Sequence, residues 1–528
     1  MGKIARYLNQ LIVGNVFDSP EILEAYSTDR SILKIKPKYV ALPESTDDIR
    51  KLMKFCYQLA SKNIRIPIAI RGSGLDELGG DLTNGLVIST EKLNRLLESD
   101  KRERLVRVQA GITLKELNTA LSVNGLTIPI GGHEMETIGG LISNCPKDSF
   151  SAKYGGIMNF VERVEVVLPN GDVLQTSRQS KHNLAKRAQQ KGLENEVYRK
   201  IATLAKVNEA LLKKMREHGA GLAGYPTITL TERKGSVDLM PLFFGAEGTL
   251  GVITEVILRA VPLHKETKRV LATFEDFNVA QKFMDVVNAL KPRELNIYDI
   301  EIIRTAEETG KRLNDVTKKM EKGYVVFAKF DSKNKSCLRK VAGVRKALPR
   351  SSQLFVENGK TVATLNEFEN SLISFLNYTR SGERIPVLTD FYLPAHNLER
   401  FMTDLTLLEK NLKLNLAIYG SYSSSNYSLR PKFNLEKDDY RKSVVTFLKT
   451  GAYVIGRQGG SITGGSPEGR VKAIVTNAEM SESEAKLYKA IKQAFDRYNV
   501  LGSTVKLGAA PNYTIAHFRT TSSAKIVI

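Results

Sequence analysis

An apolar run, Ile66 to Ile70, ends abruptly in Arg71-Gly72-Ser73-Gly74-Leu75 and continues to Gly79-Gly80. No other segment restricts the fold as much. A buried strand must stop at a turn that glycine alone lets approach another group closely and enter positive φ without strain. Successive amides in such a turn converge on an anion, and a pyrophosphate suits their spacing. The turn is not the doubly wound dinucleotide fingerprint, because Glu77 replaces its third glycine and Gly79-Gly80-Asp81 lead toward a strand instead of a helix. Taken alone, so short a motif is equally compatible with a tight surface turn.

Start and stop signals around the turn predict strands alternating with short helices over residues 38–177. Ser45-Thr46-Asp47-Asp48 caps a helix whose apolar face is Ile49, Leu52, Met53, Cys56, Leu59 and Ala60. Thr113-Leu114-Lys115-Glu116 is a capping box opening a second helix, which stops at Asn124-Gly125. Strand-like runs lie at Ile64–Ile70, Leu86–Ser89, Leu105–Gln109 and Val161–Leu168. A helix over Asp276–Leu290 and a strand over Tyr324–Phe330 indicate a second α+β unit. Two units are also what length requires, since single cores stop growing at about 250–300 residues and this chain has 528.

Three cysteines, Cys56, Cys145 and Cys337, are too few and too scattered for a disulfide scaffold, a CxxC pair or a cysteine-rich metal site. A reducing compartment, the cytoplasm, is expected. The N-terminal stretch is too short and too polar for a membrane span and carries no cleavage or myristoylation signal. Lys and Arg outnumber Asp and Glu by 78 to 57, a surplus of +21 that attracts anionic partners. It concentrates in Arg178 to Glu217, with eleven basic residues against four Glu and Val197, Ile201, Leu204, Leu211 and Met215 near helical spacing. A solvated face on a helical insertion is the plainer expectation, and a peripheral contact with the anionic inner face of a membrane is the alternative. Nucleic acid is not an expected partner, because no recognition motif accompanies the charge.

Further segments recur in a telling order: Ala110-Gly111-Ile112-Thr113, then Thr137-Ile138-Gly139-Gly140, Tyr154-Gly155, Val161, and Phe244-Gly245-Ala246-Glu247-Gly248-Thr249-Leu250-Gly251-Val252-Ile253-Thr254-Glu255. With Tyr26-Ser27-Thr28-Asp29, this set resembles the FAD-binding domain of the vanillyl-alcohol oxidase and p-cresol methylhydroxylase superfamily. Within it, the chain looks like the branch of D-lactate dehydrogenases and the D-type subunits of glycolate oxidase. The resemblance covers most of residues 20–262.

The resemblance implies an α+β fold: a bilobed FAD-binding domain at 32–264 with the basic insertion at 178–217, after an N-terminal helical segment, 1–31. An α+β cap at 265–485 and a segment at 486–528 that returns to the flavin domain would follow. FAD would lie between the lobes. Arg71, Gly72, Ser73, Gly74, Leu75, Gly79 and Gly80 would form the pyrophosphate loop, and Thr137, Ile138, Gly139, Gly140, Tyr154, Gly155, Val161, Gly248, Gly251 and Ile253 would line the remainder. His133 falls in a loop near the flavin in relatives, where it is a candidate contact for FAD or substrate and equally an ordinary polar loop histidine. Members with covalent flavin carry His where Leu75 stands, so a dissociable cofactor is expected.

The cap motifs depart from the family. Where relatives carry His-Ala-Gly-Asp-Gly-Asn-Leu-His, this chain reads Ser421-Tyr422-Ser423-Ser424-Ser425-Asn426-Tyr427-Ser428. Where they carry Gly-Gly-Ser-Ile-Ser-Gly-Glu-His-Gly, it reads Gly459-Gly460-Ser461-Ile462-Thr463-Gly464-Gly465-Ser466-Pro467. The Asn of a terminal Asn-Pro-Gly-Val-Lys is likewise missing from Gly502-Ser503-Thr504-Val505-Lys506. Serine is neither a neutral-pH base nor a usual transition-metal ligand, so no metal is expected. Tyr422 and Tyr427 are candidate phenolic bases, with plain aromatic packing the commoner role, and Arg430 and Arg457 are candidate anion clamps, with surface cover the commoner role. The expectation is an FAD-dependent oxidoreductase acting on an alcohol or hydroxy acid, reoxidised by a quinone, a partner protein or oxygen. A non-catalytic flavin-binding scaffold is the alternative.

Overall fold

The computed structural model describes residues 2–217, 224–264, 266–309, 316, 320–332, 336–376, 384–508 and 510–520. Three principal sheets organise them. The first has four strands in the order Asn15–Phe17, Tyr39–Leu42, Leu86–Ser89 and Ile68–Arg71, with Tyr39↔Leu86 and Ile68↔Leu86 paired in parallel. Its inner strand Leu86–Ser89 is buried throughout, as expected of a parallel strand covered on both faces. The strand predicted from Ile64 begins instead at Ile68, just past Pro67, which has no N–H to donate to a ladder. Helix Thr46–Ser61 covers this sheet, and Ser45 Oγ caps it by accepting from the Asp48 amide at 3.1 Å.

The second sheet is antiparallel, ordered Leu96–Asp100, Leu105–Gln109, Val252–Arg259, Val161–Val167 and Val173–Gln175. Helices Leu114–Ser122 and Ile138–Asn144 pack on it, the former opening with the capping box between Thr113 and Glu116. The basic insertion forms three helices, Lys181–Ala188, Leu193–Val207 and Glu209–Glu217. Its apolar stripe, Val197, Tyr198, Ile201, Ala205 and Leu212, is spent on the domain core, against helix Glu482–Phe495 among other elements.

The third sheet has seven strands, ordered Gln353–Val356, Glu266–Phe274, Tyr324–Ser332, Glu294–Asp299, Asn415–Ser421, Asn426–Lys432 and Leu388–Tyr392. One face carries helices Phe277–Ala289, Cys337–Ala347, Leu398–Leu412 and Tyr440–Arg457 over the largest core. The other face is partly covered by Ile300–Thr309 and Val362–Leu376, and the remainder looks across a cleft toward the glycine turn. Cap and flavin lobes are stitched together by polar contacts. Arg430 Nη2 donates to Glu77 Oε1 at 2.7 Å, Asn426 Nδ2 to the Lys147 carbonyl at 2.7 Å, and Arg470 Nε to the Gly79 carbonyl at 2.9 Å. Among the described residues no helix is long and apolar enough to cross a membrane.

Candidate active site

The strand Ile68–Arg71 delivers the chain into the glycine turn. Gly74 has φ +71°, and a Cβ there would lie 2.3 Å from Arg71 Nη2. A Cβ on Gly72 would lie 2.3 Å from Thr137 Oγ1, so both positions exclude side chains. The amides of Gly72, Ser73, Gly74 and Leu75 make no hydrogen bond among the described residues. They open on a cavity walled by Thr90, Ala110, Thr137, Gly139, Gly140, Gly248, Gly251 and Ile253. Unspent amides along a trough that any side chain would fill are what the pyrophosphate of an extended dinucleotide requires.

Leu75, Asp76, Glu136, Asn144 and Pro146 line this trough and also a second cavity, of about 520 Å³, beneath the cap sheet. The period of two along the cap strands builds its roof. Glu294, Asn296 and Tyr298 face the cavity while Leu295 and Ile297 enter the core, and Tyr419, Ser421, Asn426 and Ser428 face it from neighbouring strands. The serines in place of the family's imidazoles therefore share one chamber. Ser428 Oγ accepts from the Asp390 amide at 3.0 Å, and Ser466 Oγ accepts from Lys472 Nζ at 3.0 Å. At Gly465, where the family has Glu, a Cβ would lie 2.2 Å from Asn426 Oδ1 and 2.4 Å from the Asp390 carbonyl, so the missing carboxylate has no space.

Buried charge dominates the chamber. Burial pushes Glu136 up to about 8, Asp76 and Glu294 to about 7, and Asp148 to about 6. Burial also lowers the Lys472 ammonium to about 8, against the pull of Asp390 and other carboxylates. Glu77 behaves oppositely: burial would raise its pKa, but Arg430 and Arg30, each 2.7 Å from its Oε1, hold it below its ordinary value. Under the glycine turn, Asp29, Asp76 and Asp81 bring carboxylate oxygens within 4.8 Å of one another, and Asp29 is driven well above its ordinary value by burial and by those neighbours.

The sequence-derived site residues divide between cavity and scaffold. Gly72, Ser73, Gly74, Leu75, Gly80, Thr137, Gly139, Gly140, Gly248, Gly251 and Ile253 line the trough. Arg71 braces the turn from behind, its Nη1 donating to the Thr28 carbonyl at 3.0 Å. Gly79 supplies a backbone turn at φ +77°, and Ile138 and Val161 are core residues. The Tyr154 hydroxyl donates to Asp331, and Gly155 turns the chain at φ +76°. His133 lines the cap cavity, not the trough, and its Nδ1 accepts from the Met135 amide at 3.1 Å.

The candidate catalytic residues fare differently. Tyr427 alternates with Asn426 and Ser428, so its ring enters the cap core beside Phe391. Tyr422 donates to Asp285 Oδ1 at 2.5 Å on the helical side of the sheet. Arg457 is exposed at a helix end, paired with Asp404 at 2.5 Å. Arg430 alone borders the chamber, bonded to Glu77 and to Tyr419 Oη, both at 2.7 Å. Sequence reasoning missed Lys472, six positions beyond Ser466, because a lone lysine in the turn before helix Ala473–Glu479 has no signature until burial lowers its pKa. Glu136, Glu294, Asn296 and Asp390 were missed for the same kind of reason.

An extended dinucleotide trough opening on a capped chamber defines a two-domain flavoprotein of the p-cresol methylhydroxylase fold. The chain matches the family described as FAD binding domain over residues 37–177 and that described as FAD linked oxidases, C-terminal domain, over residues 263–504. It belongs to the FAD-linked oxidoreductases, and FAD is its cofactor. It is 25% identical over 477 residues to glycolate oxidase subunit GlcD of Bacillus subtilis (strain 168), covering 88% of each chain. It is 22% identical over 503 residues to a D-lactate dehydrogenase of Anaerostipes hadrus, covering 91% of this chain and 92% of that one. In fold it is similar to p-cresol methylhydroxylase with substrate bound, at a TM-score of 0.65 and 12% identity, over 95% of both chains.

Proposed function

We propose that the protein oxidises a small organic molecule held beneath the cap sheet, passing hydride to non-covalently bound FAD. The observation that carries this reading is the lining shared by trough and chamber: Leu75, Asp76, Glu136, Asn144 and Pro146 border both, so the residues that would hold FAD on the glycine turn adjoin the substrate space. Bound FAD supplies a two-electron acceptor. Leu75, at the junction, offers no atom for a flavin bond.

The chain's own contribution is proton removal. For an alcohol, the C–H leaves as hydride, and the O–H proton passes to Ser466 Oγ as the serine's proton passes to neutral Lys472 Nζ, leaving a carbonyl product. Burial supports this role by lowering Lys472 to about 8. Tyr419, held by Arg430 over Glu77, faces the substrate from the sheet side. The relay replaces the imidazoles that Ser421, Ser428 and Ser466 displace, and it uses no divalent metal. A quinone, a partner protein or oxygen then takes the electrons. The charged face of the basic insertion supports a peripheral contact with anionic membranes, which flotation with anionic liposomes tests.

Purified protein should be yellow and should release intact FAD on acid denaturation. Anaerobic mixing with alcohols and hydroxy acids should bleach the flavin for at least one compound. Bleaching by none would favour a flavin-binding scaffold, for which the altered cap motifs are the specific support.

A further inference from the structure

Of the five residues that line both trough and chamber, Asp76 and Glu136 carry a carboxyl group. The two differ in what holds them. Asp76 accepts from the Leu78 amide at 2.6 Å and from the Gly80 amide at 2.9 Å, so both of its oxygens belong to the glycine turn. The Glu136 carboxyl makes no hydrogen bond or ion pair among the described residues, and its Oε2 is buried.

Backbone bonds on both sides fix Glu136 at this junction. Its amide donates to the His133 carbonyl and its carbonyl accepts from the Leu114 amide, both at 2.9 Å, while the adjoining Thr137 Oγ1 accepts from the Gly140 amide at 3.2 Å. Burial pushes the carboxyl up to about 8; Arg30 pulls the other way, and Asp390, Asp148 and Glu77 add to the rise. Arg30 is bonded through Nη2 to Glu77 Oε1 at 2.7 Å and makes no bond to Glu136. His133, on the same loop, and Asp76, on the glycine turn, are the other titratable groups bordering this end of the chamber. A carboxylate here would be buried without a counter-charge, which is costly, so the group keeps its proton.

We infer that Glu136 is a proton-bearing partner of the flavin, donating its O–H to bound FAD and stabilising the reduced form. Hydride transfer brings the flavin one proton and two electrons, and so one negative charge. The carboxyl O–H meets that charge as a donor, whereas an ionised carboxylate would repel it. Reduction therefore tightens the hold of Glu136 on its proton, and the proton favours reduction by the same factor. Once Glu136 is ionised in the oxidised protein, each reduction draws one further proton from water onto its carboxylate. This role rests on the flavin reading proposed above for the same junction.

The test is chemical reduction of the FAD-loaded protein against a reference dye, with no substrate present, at pH 6.5 and pH 9. Glu136→Gln keeps a donor and cannot ionise, so its reduction equilibrium should match the parent's at pH 6.5 and exceed it by about fivefold at pH 9. Glu136→Leu, which has no donor, should disfavour reduction by about tenfold at pH 6.5. In the parent alone, proton uptake per flavin reduced should rise between the two pH values, since the flavin ring itself binds fewer protons as pH rises. Parent and Glu136→Gln running parallel across pH, a Glu136→Leu variant that matches the parent, or an uptake that does not rise overturns the assignment. Substrate bleaching is read separately: a Glu136 effect on the reduction equilibrium with no bleaching by any compound would sink the oxidation reading and leave the flavin partner standing.

Discussion

Lys472 Nζ lies 3.0 Å from Ser466 Oγ in a fully buried contact at the edge of the cap chamber. In the folded protein the ammonium loses its proton near pH 8 because burial disfavours its charge. Flavin reduction should therefore rise with pH and reach half its limit near 8, since only the neutral amine accepts a proton. Lys472→Met should slow reduction by about 100-fold or more, the usual contribution of a general base, and Lys472→Arg, which stays charged, should not rescue it. A pH profile unchanged in Lys472→Met would remove the lysine from the mechanism.

Gly74→Val should lose FAD. A branched side chain at φ +71° is strained, and its Cβ would collide with the Arg71 guanidinium. The absorbance ratio of flavin to protein after gel filtration measures retention, and full occupancy would place the pyrophosphate elsewhere.

Tyr422→Phe should leave the rate of flavin reduction unchanged and lower stability by about 1.5–3 kcal/mol, the scale of a lost hydrogen bond to a charged group. The hydroxyl is committed to Asp285 on the far side of the sheet. A large fall in rate with normal stability would restore the tyrosine as a base.

Glu136 should make the protein less stable as pH rises. Its folded pKa, about 8, lies above its ordinary value of 4.5, so the native state holds the proton longer than the unfolded chain. The stability it contributes is complete below about 4.5 and lost as pH climbs through 8. Melting temperature measured at pH 6 and pH 8.5 should fall less in Glu136→Gln than in the parent. Equal falls would mean that Glu136 is already ionised at pH 6.

What the sequence made legible is what local physics decides. Capping at Ser45 and Thr113 appears in the structure as side-chain hydrogen bonds, and Gly72 and Gly74 of the glycine turn lie where no side chain fits. The chamber was less legible because its members come from strands and loops that only topology unites: Glu294 and Asn426 are neighbours of one cavity across 132 residues of sequence. Tyr427 illustrates the difficulty. Its motif position marked it as chemical, yet one step of strand alternation turns it into the core while Ser428 faces the cavity.

Anaerobic stopped-flow mixing of the FAD-loaded protein, in EDTA at pH 8, with a panel of alcohols and hydroxy acids that includes D-lactate is the most direct test of a metal-independent chamber whose proton acceptor is Lys472 through Ser466. The expected result is flavin bleaching by at least one of these compounds that EDTA leaves unaffected. Rapid bleaching by D-lactate that EDTA abolishes and zinc or manganese restores would contradict it.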